Sequence, residues 1–118
     1  MPENRAKINV IVEQEELQLV VCRIEGSITG HTLSEIEGPE KVFGAETFTK
    51  KLLLNLTKCE HLDSTGVAWL LQLHRFCNNS KGRLVIHSVT PAILRTLTML
   101  NMQTVLHIVD DEQAARSD

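Results

Sequence analysis

The stretch Lys51-Leu52-Leu53-Leu54-Asn55-Leu56 restricts this chain more than any other. A short run that is apolar at nearly every position and bounded by polar residues suits a buried strand, although leucine by itself does not exclude a helix. Residues 65–78 then carry Val67, Leu70, Leu71, His74 and Cys77 at helical spacing. Gly82 stands just beyond a natural stop for that helix, and residues 83–89 read as another strand. Strand, helix and strand in succession form the unit from which parallel sheets are built.

The flanking segments extend the pattern. Residues 8–12 are an apolar, β-branched run. Glu13-Gln14-Glu15-Glu16 follows as a polar turn, and residues 17–24 are apolar at nearly every position. Two strands around a polar turn read as a hairpin. Residues 31–49 show helical spacing at Leu33, Ile36 and Val42, interrupted by Gly38-Pro39. Pro39 pushes Gly38 out of helical geometry, so a helix in two pieces is expected. Pro91 opens a helix that runs to Met99 or Leu100, and Asn101 ends it in a left-handed conformation. Residues 105–109 read as a last strand, and Asp110 as the cap of a short terminal helix. The first residues, and Ala115, Arg116, Ser117 and Asp118, read as frayed ends around an ordered core of about 8–114. The order β-β-α-β-α-β-α-β-α places the chain in the α/β class. The expectation is a single domain over residues 1–118, with helices packed on a mixed, mainly parallel sheet and an N-terminal hairpin as its antiparallel edge.

Composition narrows the function. Net charge is −3 with no basic block, and aromatic residues make up only 3% of the 118. Phosphate neutralisation needs clustered Lys and Arg, and base stacking needs aromatic platforms, so a nucleic-acid partner is not expected. Cys22, Cys59 and Cys77 include no CxxC pair, and full pairing within the chain would leave one over. Reduced thiols in a cytosolic protein are the simplest reading. Met1-Pro2-Glu3-Asn4-Arg5 lacks a hydrophobic signal core, and no apolar run is long enough to span a membrane. A cytoplasmic location without membrane insertion is therefore expected.

Chemistry concentrates in Leu62-Asp63-Ser64-Thr65-Gly66. This segment follows a buried strand and leads directly into an apolar helix. Sites in open α/β sheets lie at the carboxyl ends of strands. Asp63, Ser64 and Thr65 all carry oxygens that can cap the free N–H groups of a helix start, and capping alone is the plain reading. Gly66 admits close approach of a backbone or a partner. The other reading makes Ser64 a phosphoacceptor. A phosphoryl group adds roughly −1.5 to −2 charge at a helix N-terminus, where the dipole favours it. Asp63 opposes it by like-charge repulsion. A partner packed over the loop would have to bury that charge, at a cost of about 3–5 kcal/mol. Affinity would fall roughly a hundredfold to several thousandfold.

The stretch from Asn55-Leu56-Thr57-Lys58-Cys59-Glu60-His61-Leu62 through Asp63-Ser64-Thr65-Gly66-Val67-Ala68-Trp69-Leu70-Leu71 resembles the signature of STAS domains, named for sulphate transporters and anti-sigma-factor antagonists. So does Gly82-Arg83-Leu84-Val85-Ile86-His87-Ser88-Val89-Thr90-Pro91-Ala92-Ile93-Leu94-Arg95. The likeness extends from about Val10 to Ala114. It implies a stand-alone bacterial anti-sigma-factor antagonist, a regulatory protein and not an enzyme. It implies phosphorylation at Ser64 by an anti-sigma factor that is also a serine kinase of the histidine-kinase-like ATPase type. A phosphatase of the metal-dependent class would reset it. The unphosphorylated antagonist would bind the anti-sigma factor and free the sigma factor. The implied partner surface is Thr29, His31, Asp63, Ser64, Thr65, Gly66 and Val67. The resemblance also admits a scaffold role in another assembly, stressosome-like or lipid-transporting, without a phospho-switch. Three departures stand out. The family often carries Gly-x-Leu-Asp after its second strand, whereas Gly26-Ser27-Ile28-Thr29 here puts Thr29 in place of the acid. Gly38-Pro39 is unusual in the first helix, and Asn101 stands where Gly is common.

Competing motifs are weaker. Asp63-Ser64-Thr65-Gly66 has one residue too many for an aspartic-protease loop, and Ser64 lacks the Gly-x-Ser-x-Gly frame of a nucleophile elbow. Neither Gly-x-Gly-x-x-Gly nor a Walker A sequence occurs, so no cofactor is expected. Cys59, His61, His31, His74, His87 and His107 include no pair at zinc spacing. His74 reads as a core or boundary histidine, and Cys22 and Cys77 as small hydrophobes. Trp69, Leu73 and Phe76 form a second apolar stripe, read as core, with an exposed aromatic partner surface beside Ser64 as the alternative.

Overall fold

In the computed structural model, which describes residues 6–118, the apolar runs form five strands. The fraying expected at the first five residues lies outside the described residues. Strand β1 (Ile8–Glu15) pairs antiparallel with β2 (Leu19–Ile28), forming the expected hairpin. The hairpin is longer than its apolar runs, because Glu13, Gln14 and Glu15 continue β1 and the turn falls at residues 16–18. Strands β3 (Lys51–Leu62), β4 (Arg83–His87) and β5 (Ile108–Val109) add in parallel, and the sheet order is β1-β2-β3-β4-β5.

That unreversed order decides where the helices go. Right-handed crossovers between parallel strands added always on the same side put every connecting helix on one face. These helices are α1 (Gly30–Leu33), α2 (Pro39–Phe43), α3 (Ser64–Asn79) and α4 (Pro91–Met99). They close a core containing Val20, Cys22 and Ile24 of β2, Leu52, Leu54 and Leu56 of β3, and Leu84 and Ile86 of β4. Among the described residues the opposite face receives only α5 (Glu112–Ser117), whose Ala115 packs on Val21, Leu53 and Val85.

Several sequence expectations shift. The segment after β2 forms three pieces, not two. Gly38, extended at ψ 164°, caps α2 with Pro39 at its start, and Gly44 at φ 86° breaks the chain again before a 3-10 turn, Ala45–Thr49. β3 runs to Leu62 because β2 keeps pairing with it past two bulges, out to Ile28 opposite Leu62. On α3 the buried stripe is Val67, Trp69, Leu70, Leu73 and Cys77, while Leu71 and His74 are half-buried. The last strand keeps only two residues, since Leu106 turns into the core and Val105 stays exposed. The terminal helix is capped by Asp111, whose carboxylate accepts from the Ala114 N–H at 2.8 Å, and not by Asp110. Ala115 is fully buried, so the segment read as a frayed end is folded onto the sheet. Asn101 ends α4 in the left-handed region, as expected, at φ 61° and ψ 30°. No helix among the described residues is long and apolar enough to cross a membrane.

Candidate functional site

Ile28 and Leu62 are register partners, so the loops leaving β2 and β3 emerge side by side. Each loop ends in a helix cap. Thr29 caps α1 in a reciprocal pair with Thr32: the Thr32 N–H donates to Thr29 Oγ1 at 3.3 Å, and the Thr29 N–H donates to Thr32 Oγ1 at 3.0 Å. The buried Thr32 hydroxyl also donates to the Ser27 carbonyl at 2.7 Å, tying α1 to β2. A threonine in place of an acid therefore still satisfies a helix start.

Asp63 holds the two loops together. Its Oδ1 accepts from the Gly66 N–H at 2.8 Å, capping α3, and its Oδ2 accepts from the Gly30 N–H at 3.0 Å. One carboxylate thus bonds to the first turns of two helices, whose N–H groups otherwise have no partner. Gly66 fixes the approach from below. A Cβ there would lie 1.9 Å from the Ile28 carbonyl oxygen and 2.7 Å from Leu62 Cδ1, so only glycine lets α3 begin against the end of β2.

Ser64 is the first residue of α3, and it is exposed, as is Thr65. α3 has 16 residues, and its aligned peptide dipoles leave partial positive charge at that end. Beside it, between α1 and α3, lies an open groove of about 430 Å³ lined by Leu33, Thr65, Ala68, Trp69, Gln72 and Arg75. Trp69 is only 6% exposed, and its ring centroid lies 6.1 Å from that of Phe43. It belongs to the core, as the apolar stripe suggested, and does not stand out as an aromatic anchor. Phe76 stacks on Phe48 at 5.1 Å.

The structure brings Thr29, Asp63, Ser64 and Thr65 to one end of the sheet, with His31 exposed on α1. Gly66 and Val67 are buried beneath them. Sequence reading missed Gly30, and also Gln72 and Arg75 in the groove. The Gly30–Asp63 bond spans 33 residues, so no local pattern announces it.

Other candidate chemistry recedes. Burial pushes the Cys22 thiol up to about 12, and those of Cys59 and Cys77 up to about 11, so all three are neutral thiols packed as apolar groups. No group of three or more His, Cys, Asp or Glu that could hold a metal ion occurs among the described residues.

The sequence profile of the STAS domain matches residues 9–115. The anti-sigma F factor antagonist of Paenibacillus polymyxa is 21% identical over 112 residues, 94% of this chain and 96% of that protein. The solved structure of an anti-sigma factor antagonist from Mycobacterium paratuberculosis superposes with a TM-score of 0.75 at 19% identity, over 93% of this chain and 92% of that one. The anti-sigma factor antagonist SpoIIAA, solved in its unphosphorylated form, gives 0.68 at 18% identity, over 90% and 92%. At these identities the solved structures establish a common fold.

Proposed function

The chain belongs to the STAS domain family, and from that footing we propose that it is an anti-sigma-factor antagonist switched at Ser64. It binds an anti-sigma factor while Ser64 is unmodified and leaves it once Ser64 is phosphorylated. The observation that carries this reading is the exposed hydroxyl of Ser64 in the first turn of α3, beside a carboxylate already bonded to two loops. The relatives named as anti-sigma factor antagonists, one of them described in an unphosphorylated form, support it.

The local chemistry is simple. A kinase partner of the histidine-kinase-like ATPase type transfers the terminal phosphoryl group of ATP to Ser64 Oγ, which loses its proton while ADP departs. A metal-dependent phosphatase hydrolyses the ester and restores the hydroxyl. The fold tolerates the added charge because the start of α3 favours an anion. A partner seated on Thr29, His31, Thr65 and the groove does not, because docking strips water from the phosphate. Gly66 and Val67 serve that surface from beneath, by fixing where α3 begins.

The test is phosphate transfer and binding with the kinase-type anti-sigma factor. Mass spectrometry after incubation with that partner and ATP is expected to find the phosphoryl group on Ser64. Ser64→Ala keeps binding and accepts no phosphate, and Ser64→Asp loses at least about a hundredfold in affinity. Wild-type affinity in Ser64→Asp would sink the switch, and a scaffold role in another assembly would take its place.

A further inference from the structure

His87, the last residue of β4, lies on the face opposite the Ser64 site, beneath the start of α5. It is 0% exposed. Its Nδ1 is hydrogen-bonded to Ser88 Oγ at 2.8 Å, and its Nε2 has no partner among the described residues. The contact at Nδ1 depends on Ser88 holding a left-handed backbone, φ 58°, which a non-glycine residue adopts only at some cost. We propose that His87 is a proton-operated latch for α5: when its imidazole takes up a proton, α5 lifts from the sheet and uncovers Val21, Leu53 and Val85.

An unsatisfied donor drives the opening. An imidazolium has two N–H groups. Nδ1–H can donate to Ser88 Oγ, but Nε2–H would be a charged donor buried without an acceptor, which a folded protein avoids. Water must reach it, and α5 is the weakest cover. β3 and β5 flank His87 in the sheet through Asn55 and Val109, and the other four helices pack on the far face. α5 is anchored by one fully buried side chain, Ala115, and otherwise by polar contacts at the surface: Arg116 to Gln14, Lys51 to the Arg116 and Asp118 carbonyls, and Arg83 and His107 to the Asp118 carboxylate. Elements held so lightly open far more readily than the whole molecule unfolds.

The charges around His87 are already engaged. From α5, Asp111 caps its own helix and Glu112 accepts from Arg116 Nε at 2.8 Å. From β1, Glu13 pairs with Arg23. β3 and β5 place uncharged Asn55 and Val109 beside the ring. Burial accordingly holds the imidazole below its ordinary 6.5, outweighing those acids. The docked helix thus favours neutral His87, while the lifted state titrates near 6.5. Stability of docking is flat well above 6.5 and falls as pH drops through it. By about pH 5 opening increases by up to roughly thirtyfold. The other end of α5 is held by its C-terminal residue. His107 Nε2 lies 2.6 Å from Asp118 Oδ2 there, and Arg83 pairs with the same carboxylate.

Hydrogen exchange by NMR on the full chain, between about pH 7.5 and about pH 5, tests the latch. Protection factors of the Ala114 and Ala115 amides are expected to fall, by at most about thirtyfold, while those in α3 hold. The His87 ring should titrate below the pH at which protection starts to fall, because the docked form dominates, and His87→Gln should abolish the fall. Constant α5 protection, an equal fall in α3, or a fall that persists in His87→Gln would each overturn the proposal. Should His87→Gln fail to fold, the wild-type curves decide: protection that starts to fall near 6.5 with a ring that titrates lower supports the latch, and a ring that titrates at or above 6.5 overturns it.

Discussion

Leu53 and Leu54 are neighbours on β3, both fully buried, yet they enter different cores. Leu54 faces a cluster built from α2, α3, α4 and every strand except β5, with Leu33 of α1 and Ile108 of β5 at its margin. Leu53 meets Val21, Val85 and a single alanine from α5. The same strand therefore has a deeply packed face and a thinly covered one, and the cause is the sheet order. An order that never reverses sends all crossover helices to one side and leaves the other to whatever follows the last strand. The lesson is a division of labour. The Ser64 site stands on the deep face, where α3 is anchored along its length by Val67, Trp69, Leu70, Leu73 and Cys77. The thin face is the one that can open.

The sharpest way to break this contrast is to truncate the two leucines in turn. Leu54→Ala leaves a cavity that rigid neighbours cannot fill, and we expect a loss of about 4 kcal/mol in urea unfolding. Leu53→Ala should cost only about 2 kcal/mol, since α5 can settle or lift. Equal losses would mean that the two faces are equally rigid. A smaller effect is expected where the deep face meets the site. Gly66→Ala forces a methyl group onto the Ile28 carbonyl, and either β2 or α3 must give way. A loss of about 3 kcal/mol is expected, with the Gly30 and Gly66 amide resonances shifting together because Asp63 joins them. An unmoved Gly30 resonance would show that the two loops are independent.

How much of this was readable beforehand depended on the range of the interaction. β3, α3 and α4 were legible because their signals are local: an apolar run, a 3.6-residue period, and a proline at a first turn. Asn101 was legible for the same reason. What escaped was decided elsewhere in the chain. β3 extends through Thr57, Lys58, Glu60 and His61, polar residues held in the sheet by pairing with β2 and not by their own preference. Val105 and His107 carry a strand-like pattern, yet β4 has only its last two residues left to pair with β5. Trp69 and Leu73 lie in the core as their stripe suggested, and His74 at its boundary, but Leu71 is only half-buried, because Phe43 and Phe48 pack beside Trp69 from a segment whose path no periodicity fixes. Ser64 as the residue of interest was visible at once. Asp63 as a clasp was not, since its second partner lies 33 residues away.

The least effect is expected from the modification itself, and this is the most searching test of the contrast. A phosphoryl group on Ser64 meets two opposed fields. The start of α3 stabilises an anion by about 0.3–1 kcal/mol at an exposed position. Asp63 repels it, but both carboxylate oxygens already accept backbone N–H bonds, so Asp63 stays in place and the two terms largely cancel. Urea midpoints of the wild type, Ser64→Asp and the phosphorylated protein should therefore agree to within about 0.5 kcal/mol. A partner's affinity would change by orders of magnitude over the same modification. A loss of about 2 kcal/mol or more on phosphorylation would show that charge on α3 propagates into the deep core. The site would then act by loosening the domain, and a rigid face bearing a removable charge would be the wrong description of it.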